Sequence, residues 1–248
     1  MKQSMSDNIE KRNRTVLCPT GWTWKKLESI DKFWVGVDAC GSKWLLKNRG
    51  SFYASREMIF SLIAEDLGIN VQKSKYLLFS DDIFIPAGAS KYELAIQYIE
   101  KYDGKDDSRF ASFKYAYESK NSLELLMDCD HQDSLDKVKV DMLSYIFGAN
   151  ETSEILPSKD GRIYIIDNEQ MFSGSPSDLF GCPWFRDDND IALKIAVNLC
   201  RDVYRILDSE LECILAIPGE YVVQEKWSIK DILIEARNYI EGFLRNCA

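Results

Sequence analysis

Short strand-like patterns fill the sequence up to about residue 100, and long helical patterns fill most of the remaining chain. The segments 33–37 and 43–47 are rich in aromatic and aliphatic residues and flank a glycine-containing turn, which predicts a β-hairpin. Between 53 and 67, apolar residues recur at helical spacing, and Gly68 is placed to end that helix. Further strands are predicted at about 75–79 and 92–99.

The second part of the chain has helical patterns around 138–147, 191–207 and 229–244, with one hairpin near 155–167. We therefore predict an α+β fold of two lobes. A small β-rich lobe with one main helix spans 16–100, a mostly helical lobe spans 101–248, and 1–15 form a flexible tail.

Composition restricts the classes of function. The chain has 248 residues, no run of eighteen apolar residues and no apolar stretch at its beginning. Its net charge of −9 disfavours a broad nucleic-acid surface. We expect a cytoplasmic protein without membrane attachment that does not bind nucleic acid directly.

Cysteine and histidine usage argues against several kinds of site. The seven cysteines are widely spread and include no Cys-x-x-Cys pair, which disfavours both a disulfide framework and a zinc site. The single histidine, His131, lies in a polar stretch. A Ser-His-Asp or Cys-His mechanism would depend on that one residue.

An apolar run at 161–166 leads directly into Asp167. Ile and Tyr in this run predict a buried strand that follows an Asp-Gly turn, so Asp167 lies at the strand's carboxyl end. An Asp in this position is typical of a turn or a cap. It is also a position from which an Asp can bind a metal ion, and at this point both interpretations stay open, the turn or cap being the more common.

Lys47, Glu57 and Asp167 occur in the order that a two-lobed kinase uses. In such a fold a strand lysine contacts nucleotide phosphates and pairs with a glutamate on the next helix, while a strand-end aspartate holds magnesium. Taken singly, Lys47 and Glu57 are more typical of solvated surface residues. Their order and spacing together favour the kinase arrangement.

The sequence resembles the HipA-like kinases, whose fold is related to the phosphatidylinositol 3-kinase group. Trp44-Leu45-Leu46-Lys47 with Ser55-Arg56-Glu57 and the 62–69 segment is similar to that family's strand lysine and helix glutamate. The 94–100 segment is similar to its hinge strand, 141–150 to the helix entering its catalytic loop, and 165–169 to its magnesium-binding strand end. The 217–221 segment and the closing helix with Arg237 also fit.

This resemblance implies ATP and Mg²⁺ as cofactors. It implies that Lys47 binds the phosphates, that Glu57 orients Lys47, and that adenine lies near Tyr98, Ile99 and Glu100. Asp167 would be a magnesium ligand.

The sequence departs from the family in the catalytic loop. The family's loop runs roughly Gly-Asn-x-Asp-Arg, with a metal-binding Asn further on, whereas this chain has Gly148-Ala149-Asn150-Glu151-Thr152-Ser153-Glu154. In one alignment Asn150 and Glu151 are the catalytic residues and Glu154 is the second metal ligand. The same sequence is also what a degenerate loop with solvated glutamates would look like.

This pattern is compatible with three functions. The first is an ATP- and magnesium-dependent kinase that phosphorylates Ser or Thr of a protein, and the second is a pseudokinase that binds nucleotide or a regulatory protein. The third is a small-molecule or lipid kinase. The partners expected are therefore a nucleotide and a protein that is either substrate or regulator.

Overall fold

The computed structural model describes residues 16–27, 33–47, 51–80, 86, 92–102, 123, 132–149, 153–186, 190–215 and 223–247. Several residues singled out from the sequence lie outside this part of the chain. They are the predicted tail at 1–15, His131, the catalytic-loop residues Asn150 and Glu151, and the 217–221 segment.

Within the described ranges, six strands form one sheet: β1 (Val16–Leu17), β2 (Thr23–Lys26), β3 (Trp34–Val37), β4 (Lys43–Lys47), β5 (Ser74–Leu78) and β6 (Tyr92–Gln97). Their order across the sheet is β1-β5-β6-β4-β3-β2, antiparallel except for the parallel pair β1 and β5. β4 is a central strand between β3 and β6. A central strand has no free edge, so its side chains are held in a fixed register.

The turn between β3 and β4 forms because of Asp38. Its Oδ1 accepts hydrogen bonds from the amides of Cys40 (2.9 Å) and Ser42 (2.8 Å), and Gly41 takes the positive φ of 83° that the turn needs. The hairpin predicted at 33–47 is therefore confirmed. β1 and β2 were not specified from the sequence, because β1 has only two residues and β2 is mostly exposed and lacks a run of apolar residues.

The second part of the chain is mostly helical: α2 (Gln132–Ile146), α3 (Asp190–Leu215) and α4 (Val223–Asn246), with a hairpin of β7 (Glu154–Pro157) and β8 (Ile163–Ile166). The described residues of this part also form short 3-10 turns at Asn168–Gln170, Leu179–Gly181 and Pro183–Phe185. The α+β fold class is confirmed, with a β-rich first part and a helical second part. Each helix is longer than its apolar pattern, because that pattern marks only the turns that pack against the core.

No helix in the described ranges is both long enough and apolar enough to cross a membrane. The longest, α3, carries charged residues along its length.

The main helix of the first part, α1 (Ser51–Asp66), is buried on more than one side. It packs against β5, against α3 and α4, and against the 3-10 turn that comes after Asp167. Met58, Ile59, Phe60 and Ile63 are each at most 1% exposed, and the polar Ser55 and Glu57 are buried as well. The sequence pattern predicts only one apolar face for this helix. The second buried face arises because α1 lies between the sheet and the helical part.

One hydrophobic core runs through both parts of the chain, from α1 and the facing side of the sheet to α2, α3 and α4. A smaller cluster covers the opposite face of the sheet and includes Trp44, Leu46, Leu77, Phe79 and Ala95, with four partly buried side chains packed on it: Leu17, Trp22, Trp24 and Trp34. The alternation along β4 separates the two faces. Leu45 packs toward the main core, while Trp44 and Leu46 pack on the other side.

The segment after α1 is hydrogen-bonded to the helical part of the chain. Val71 forms a β-bridge with Ile165 of β8, and the Gln72 amide donates to the Ile165 carbonyl at 2.9 Å. The Asn70 amide also donates to a carboxylate oxygen of Asp136 on α2 at 2.8 Å. These bonds hold the end of α1 against the strand that leads to Asp167.

Candidate active site

Lys47 is the last residue of β4, and its side chain points away from the tryptophan-rich face of the sheet. Its Nζ donates a hydrogen bond to Glu57 Oε2 on α1 at 2.8 Å. Both side chains are buried, at 5% and 2% exposure. The predicted ion pair between them is confirmed, and the interpretation of either residue as a solvated surface side chain is wrong.

Asp167 comes directly after β8 and lies on the same side of the site. Its Oδ1 is 3.8 Å from Lys47 Nζ, and its side chain is 48% exposed. Its backbone adopts a left-handed conformation, φ 56° and ψ 49°, which Asp tolerates better than most residues. Although Asp167 precedes a 3-10 turn, its side chain makes no capping hydrogen bond. The carboxylate is therefore directed to Lys47 and solvent, and the turn is made by its backbone alone.

Glu169 is the residue that the sequence interpretation missed. Its Oε2 accepts a hydrogen bond from Lys47 Nζ at 3.2 Å, and its side chain is only 15% exposed. The sequence spacing could have indicated it: Glu169 comes two residues after Asp167, and side chains two residues apart lie on the same face of an extended chain. The chain instead enters a 3-10 turn at Asn168, and only that turn decides where Glu169 points.

The turn that carries these two acids is anchored from within the protein. Asn168 is buried at 3% exposure and accepts a hydrogen bond from Ser153 Oγ at 2.7 Å. Phe172 is fully buried, packs against Phe147 with the two rings tilted and their centroids 4.9 Å apart, and has a positive φ of 59°. A bulky residue adopts this conformation only where its surroundings impose it. The buried contacts of Asn168 and Phe172 therefore fix the turn that carries Asp167 and Glu169.

Tyr98, Ile99 and Glu100, the residues that the resemblance predicts as the hinge, lie at the opposite end of β4 from Lys47. The Tyr98 amide donates a hydrogen bond to the Lys43 carbonyl at 2.9 Å. The Glu100 carboxylate forms salt bridges with Lys43 (2.5 Å) and Lys159 (3.3 Å). The hydrogen bond from Lys43 lowers the pKa of the exposed Glu100 carboxyl. Within the described residues, the backbone amide and carbonyl of Ile99 form no hydrogen bond.

The β7–β8 hairpin runs alongside this hinge. The Lys159 amide, in the turn of the hairpin, donates a hydrogen bond to the Glu100 carbonyl at 3.0 Å. Lys101 forms an antiparallel β-bridge with Ser158. The other end of the hairpin carries Asp167. β4 and the hairpin thus both extend from the hinge to the lysine and its acids, a distance of about 13 Å for four residues of strand. At one end lies Ile99, whose backbone groups form no hydrogen bond within the described residues, and at the other end a buried ammonium lies beside carboxylates.

The remaining predicted site residues are Glu154, Asn150 and Glu151. Glu154 begins β7, is exposed, and pairs in register with Ile166, the residue before Asp167. Asn150 and Glu151 lie outside the described residues. Within the described part of the chain, no three acidic, histidine or cysteine side chains are grouped so that they alone could hold a metal ion.

Carboxylate oxygens at one open end of the site fit Mg²⁺ in the way that many nucleotide sites do. In such sites one or two protein carboxylates hold the ion, and substrate phosphates and water complete its shell. Of the two predicted ligands, Asp167 is half exposed and makes no capping hydrogen bond, and Glu154 is exposed.

The buried ion pair of Lys47 and Glu57 has two further acids beside it, Asp167 and Glu169. Burial raises the pKa of Glu57; the Lys47 ammonium opposes this rise, and the nearby Glu169 and Asp167 charges add to it. One ammonium thus stands among three carboxylates, within 2.8, 3.2 and 3.8 Å.

No protein-family model matches the sequence, and no curated protein is significantly similar to it. Among solved structures, a Helicobacter pylori proinflammatory kinase, CtkA, aligns over 92% of this chain and 99% of its own, with a TM-score of 0.51 and 11% identity. A Golgi casein kinase aligns over 99% of this chain and 77% of its own (TM-score 0.44, 11% identity). An aminoglycoside phosphotransferase from Alicyclobacillus acidocaldarius aligns over 98% of both chains (TM-score 0.26, 13% identity).

The similarity to CtkA covers nearly the whole of both chains and establishes the fold. The chain has a two-lobed, protein kinase-like α+β fold, with a small β-rich lobe and a mostly helical lobe. The boundary predicted between residues 100 and 101 stays a prediction.

Proposed function

We propose that this protein is an ATP- and magnesium-dependent phosphotransferase that binds nucleotide between its two lobes, 16–100 and 101–248. The observation that carries the proposal is the position of Lys47. Its buried ammonium is hydrogen-bonded to the helix glutamate Glu57 and lies 3.8 Å from the strand-end acid Asp167. A buried lysine with this pair of partners is the arrangement by which kinases hold nucleotide phosphates.

Each described residue has a distinct task in this proposal. Lys47 donates to the phosphates, and Glu57 holds the Lys47 side chain in the direction of the site. The backbone groups of Ile99, between Tyr98 and Glu100, form no hydrogen bond within the described residues and would hydrogen-bond the adenine. Asp167 and Glu154 would hold the magnesium ion, which when bound neutralises the charge of the transferring phosphoryl group.

For the acceptor we propose a Ser or Thr hydroxyl of a protein, as in the HipA-like kinases that the sequence resembles. Asn150 and Glu151 would then act at the hydroxyl, with the Glu151 carboxylate near its proton. One observation favours a second function, a pseudokinase that binds nucleotide or a regulatory protein. The 148–154 segment contains no Asp, the residue that this resemblance expects at the acceptor.

Asp167→Asn tests the nucleotide site. We expect it to weaken magnesium-dependent ATP binding about tenfold or more, because it removes a negative charge from the ion while keeping the shape of the side chain. The measurement is the dissociation constant of ATP by calorimetry with magnesium present. Asp202→Asn, which removes a carboxylate from the surface pair with Arg205, is the matched control and should leave the constant unchanged.

Binding of ATP with magnesium should also raise the melting temperature of the wild-type protein, since a ligand that binds only the folded state stabilises it. Unchanged magnesium-dependent binding in Asp167→Asn would show that Asp167 only makes a turn. A wild-type protein that binds ATP under no condition would refute the proposed function.

Glu151→Gln separates the kinase from the pseudokinase. In a kinase we expect transfer to fall about 10²-fold while the affinity for ATP stays nearly constant, because a positioned acid or base acts on the chemical step. The measurement is incorporation of labelled phosphate into the protein itself and into a generic protein acceptor. Wild-type protein that binds ATP with magnesium but transfers no phosphate would establish the pseudokinase instead.

A further inference from the structure

The Lys47 ammonium has three N–H donors, and two of them are occupied within the protein. One donates to Glu57 Oε2 at 2.8 Å and one to Glu169 Oε2 at 3.2 Å. The third partner within 4 Å is Asp167. A phosphate that binds Lys47 must therefore use the one remaining donor or displace a carboxylate.

Glu57 and Glu169 reach Lys47 from different parts of the fold. Glu57 lies on α1 in the same lobe as Lys47, and it binds the ammonium from within that lobe. Glu169 comes after β8 in the other lobe, 122 residues from Lys47 in sequence, and lies on the same turn as Asp167. Glu169 thus approaches the ammonium from the direction of the proposed phosphate and metal site.

The charge around Lys47 points the same way. Three carboxylates lie within 4 Å of a single ammonium, and the Lys47, Glu57 and Glu169 side chains are largely removed from water. Charges interact more strongly where water is excluded. Burial raises the pKa of Glu57, the Lys47 ammonium opposes this rise, and the charges of Glu169 and Asp167 add to it, so both acids are close enough to act on the buried pair.

We propose that Glu169 competes with nucleotide phosphate for Lys47 and thereby makes ATP binding depend on a divalent cation. The inference rests on the proposed function and assigns a positioning role to a residue that acts through Lys47. Without a cation, the phosphates would meet the carboxylates of Glu169 and Asp167 beside Lys47. With a cation, the added positive charge offsets these acids, and Lys47 is free to exchange Glu169 for a phosphate oxygen.

The test compares the dissociation constant of ATP in magnesium with that in EDTA, by calorimetry, for wild type and Glu169→Gln. Removing the charge should tighten metal-free ATP binding about tenfold, while the affinity for ATP with magnesium changes much less. The ratio of the two constants therefore falls about tenfold. Glu169→Asp, which keeps the charge, should retain the wild-type preference for magnesium.

Two controls separate charge from general damage. Glu241→Gln removes a carboxylate from the surface pair with Arg245 and should leave both constants unchanged. Adenosine carries no phosphate, so its affinity should be the same in wild type and Glu169→Gln, with or without magnesium. The melting temperature of each variant without nucleotide reports whether it is folded.

The outcomes distinguish this inference from the proposed function. If wild type binds ATP with magnesium but Glu169→Gln leaves the ratio unchanged, the inference is wrong and the proposed function stands. If Glu169→Gln loses affinity for ATP with magnesium and gains none in EDTA, Glu169 is a metal ligand and the inference is also wrong. A wild-type protein that binds ATP in neither condition would overturn both.

The wild-type protein provides a measurement that does not depend on the variant's folding. In EDTA its affinity should fall in the order adenosine, ADP, ATP, because each added phosphate brings more charge to the acids around Lys47. Metal-free ATP that binds as tightly as adenosine would contradict the competition.

Discussion

Gly148→Ala should lower the free energy of unfolding by about 4 kcal/mol. Part of this loss comes from steric overlap of the new Cβ with neighbouring backbone, and part from the left-handed backbone conformation, which is unfavourable for Ala. Gly148 has a φ of 61°, and a Cβ there would overlap the carbonyl group of Gly174 and lie 2.6 Å from the Ser175 oxygen. Its own carbonyl accepts hydrogen bonds from the amides of Ser173 (3.2 Å) and Gly174 (2.8 Å). The neighbours are backbone atoms, so they cannot rotate away.

Thermal unfolding measures this effect, with a decrease of roughly 10 °C expected for a chain of this size. Gly68→Ala is the matched control: Gly68 has a nearly equal φ of 67°, but a Cβ there meets nothing within 4 Å. It should cost about 1 kcal/mol, the cost of the backbone conformation alone. Equal losses in the two variants would show that Gly148 and Gly174 do not approach each other closely.

Lys47→Met is expected to destabilise the protein by about 3–5 kcal/mol near neutral pH, the usual loss when one partner of a buried ion pair is removed. Met fills much of the space of Lys but leaves Glu57, 2% exposed, beside Glu169 without the ammonium. The same variant should abolish measurable ATP binding if Lys47 holds the phosphates. Chemical denaturation provides the free energy, and calorimetry the affinity.

The loss should depend on pH in a defined direction. Burial already raises the pKa of Glu57, and without Lys47 it rises further, so the folded state takes up a proton that the unfolded state does not. Stability then falls as pH increases between the ordinary glutamate pKa and the raised value. The deficit of Lys47→Met relative to wild type is therefore largest at about pH 7.5 and smaller at about pH 5.

A double variant is the control for this interpretation. Lys47→Met with Glu57→Gln removes the buried charge along with its partner and should recover more than half of the lost stability near neutral pH. A deficit that is the same at both pH values, or a double variant no more stable than Lys47→Met, would mean that packing and not charge explains the loss.

Several predictions based on local sequence pattern are confirmed. Asp38 and Gly41 specify the turn between β3 and β4 through local hydrogen bonds and a positive φ, and both residues are visible in the sequence. Gly68 ends α1 and Gly148 comes just after α2, as their places after apolar periodic segments predict. The apolar run before Asp167 is a strand for the same reason.

Proximity in space was predicted only by analogy. The contact between Lys47 and Glu57 was expected from the order of a strand lysine and a helix glutamate in kinases, and that pair is present. The roles of Tyr98, Ile99, Glu100, Asp167 and Glu154 toward nucleotide and metal remain proposals. Those of Asn150 and Glu151 lie beyond the residues that the structure describes.

The sequence by itself determined where most of the strands, turns and helices occur, because hydrophobic periodicity, turn residues and glycine act over a few residues. Only the tertiary structure decided that α1 is buried on a second face and that Glu169 reaches Lys47. Glu169 is brought there by a left-handed residue at Asp167, a 3-10 turn and the buried anchors Asn168 and Phe172. Contacts across 122 residues arise from packing between lobes, which no local pattern specifies.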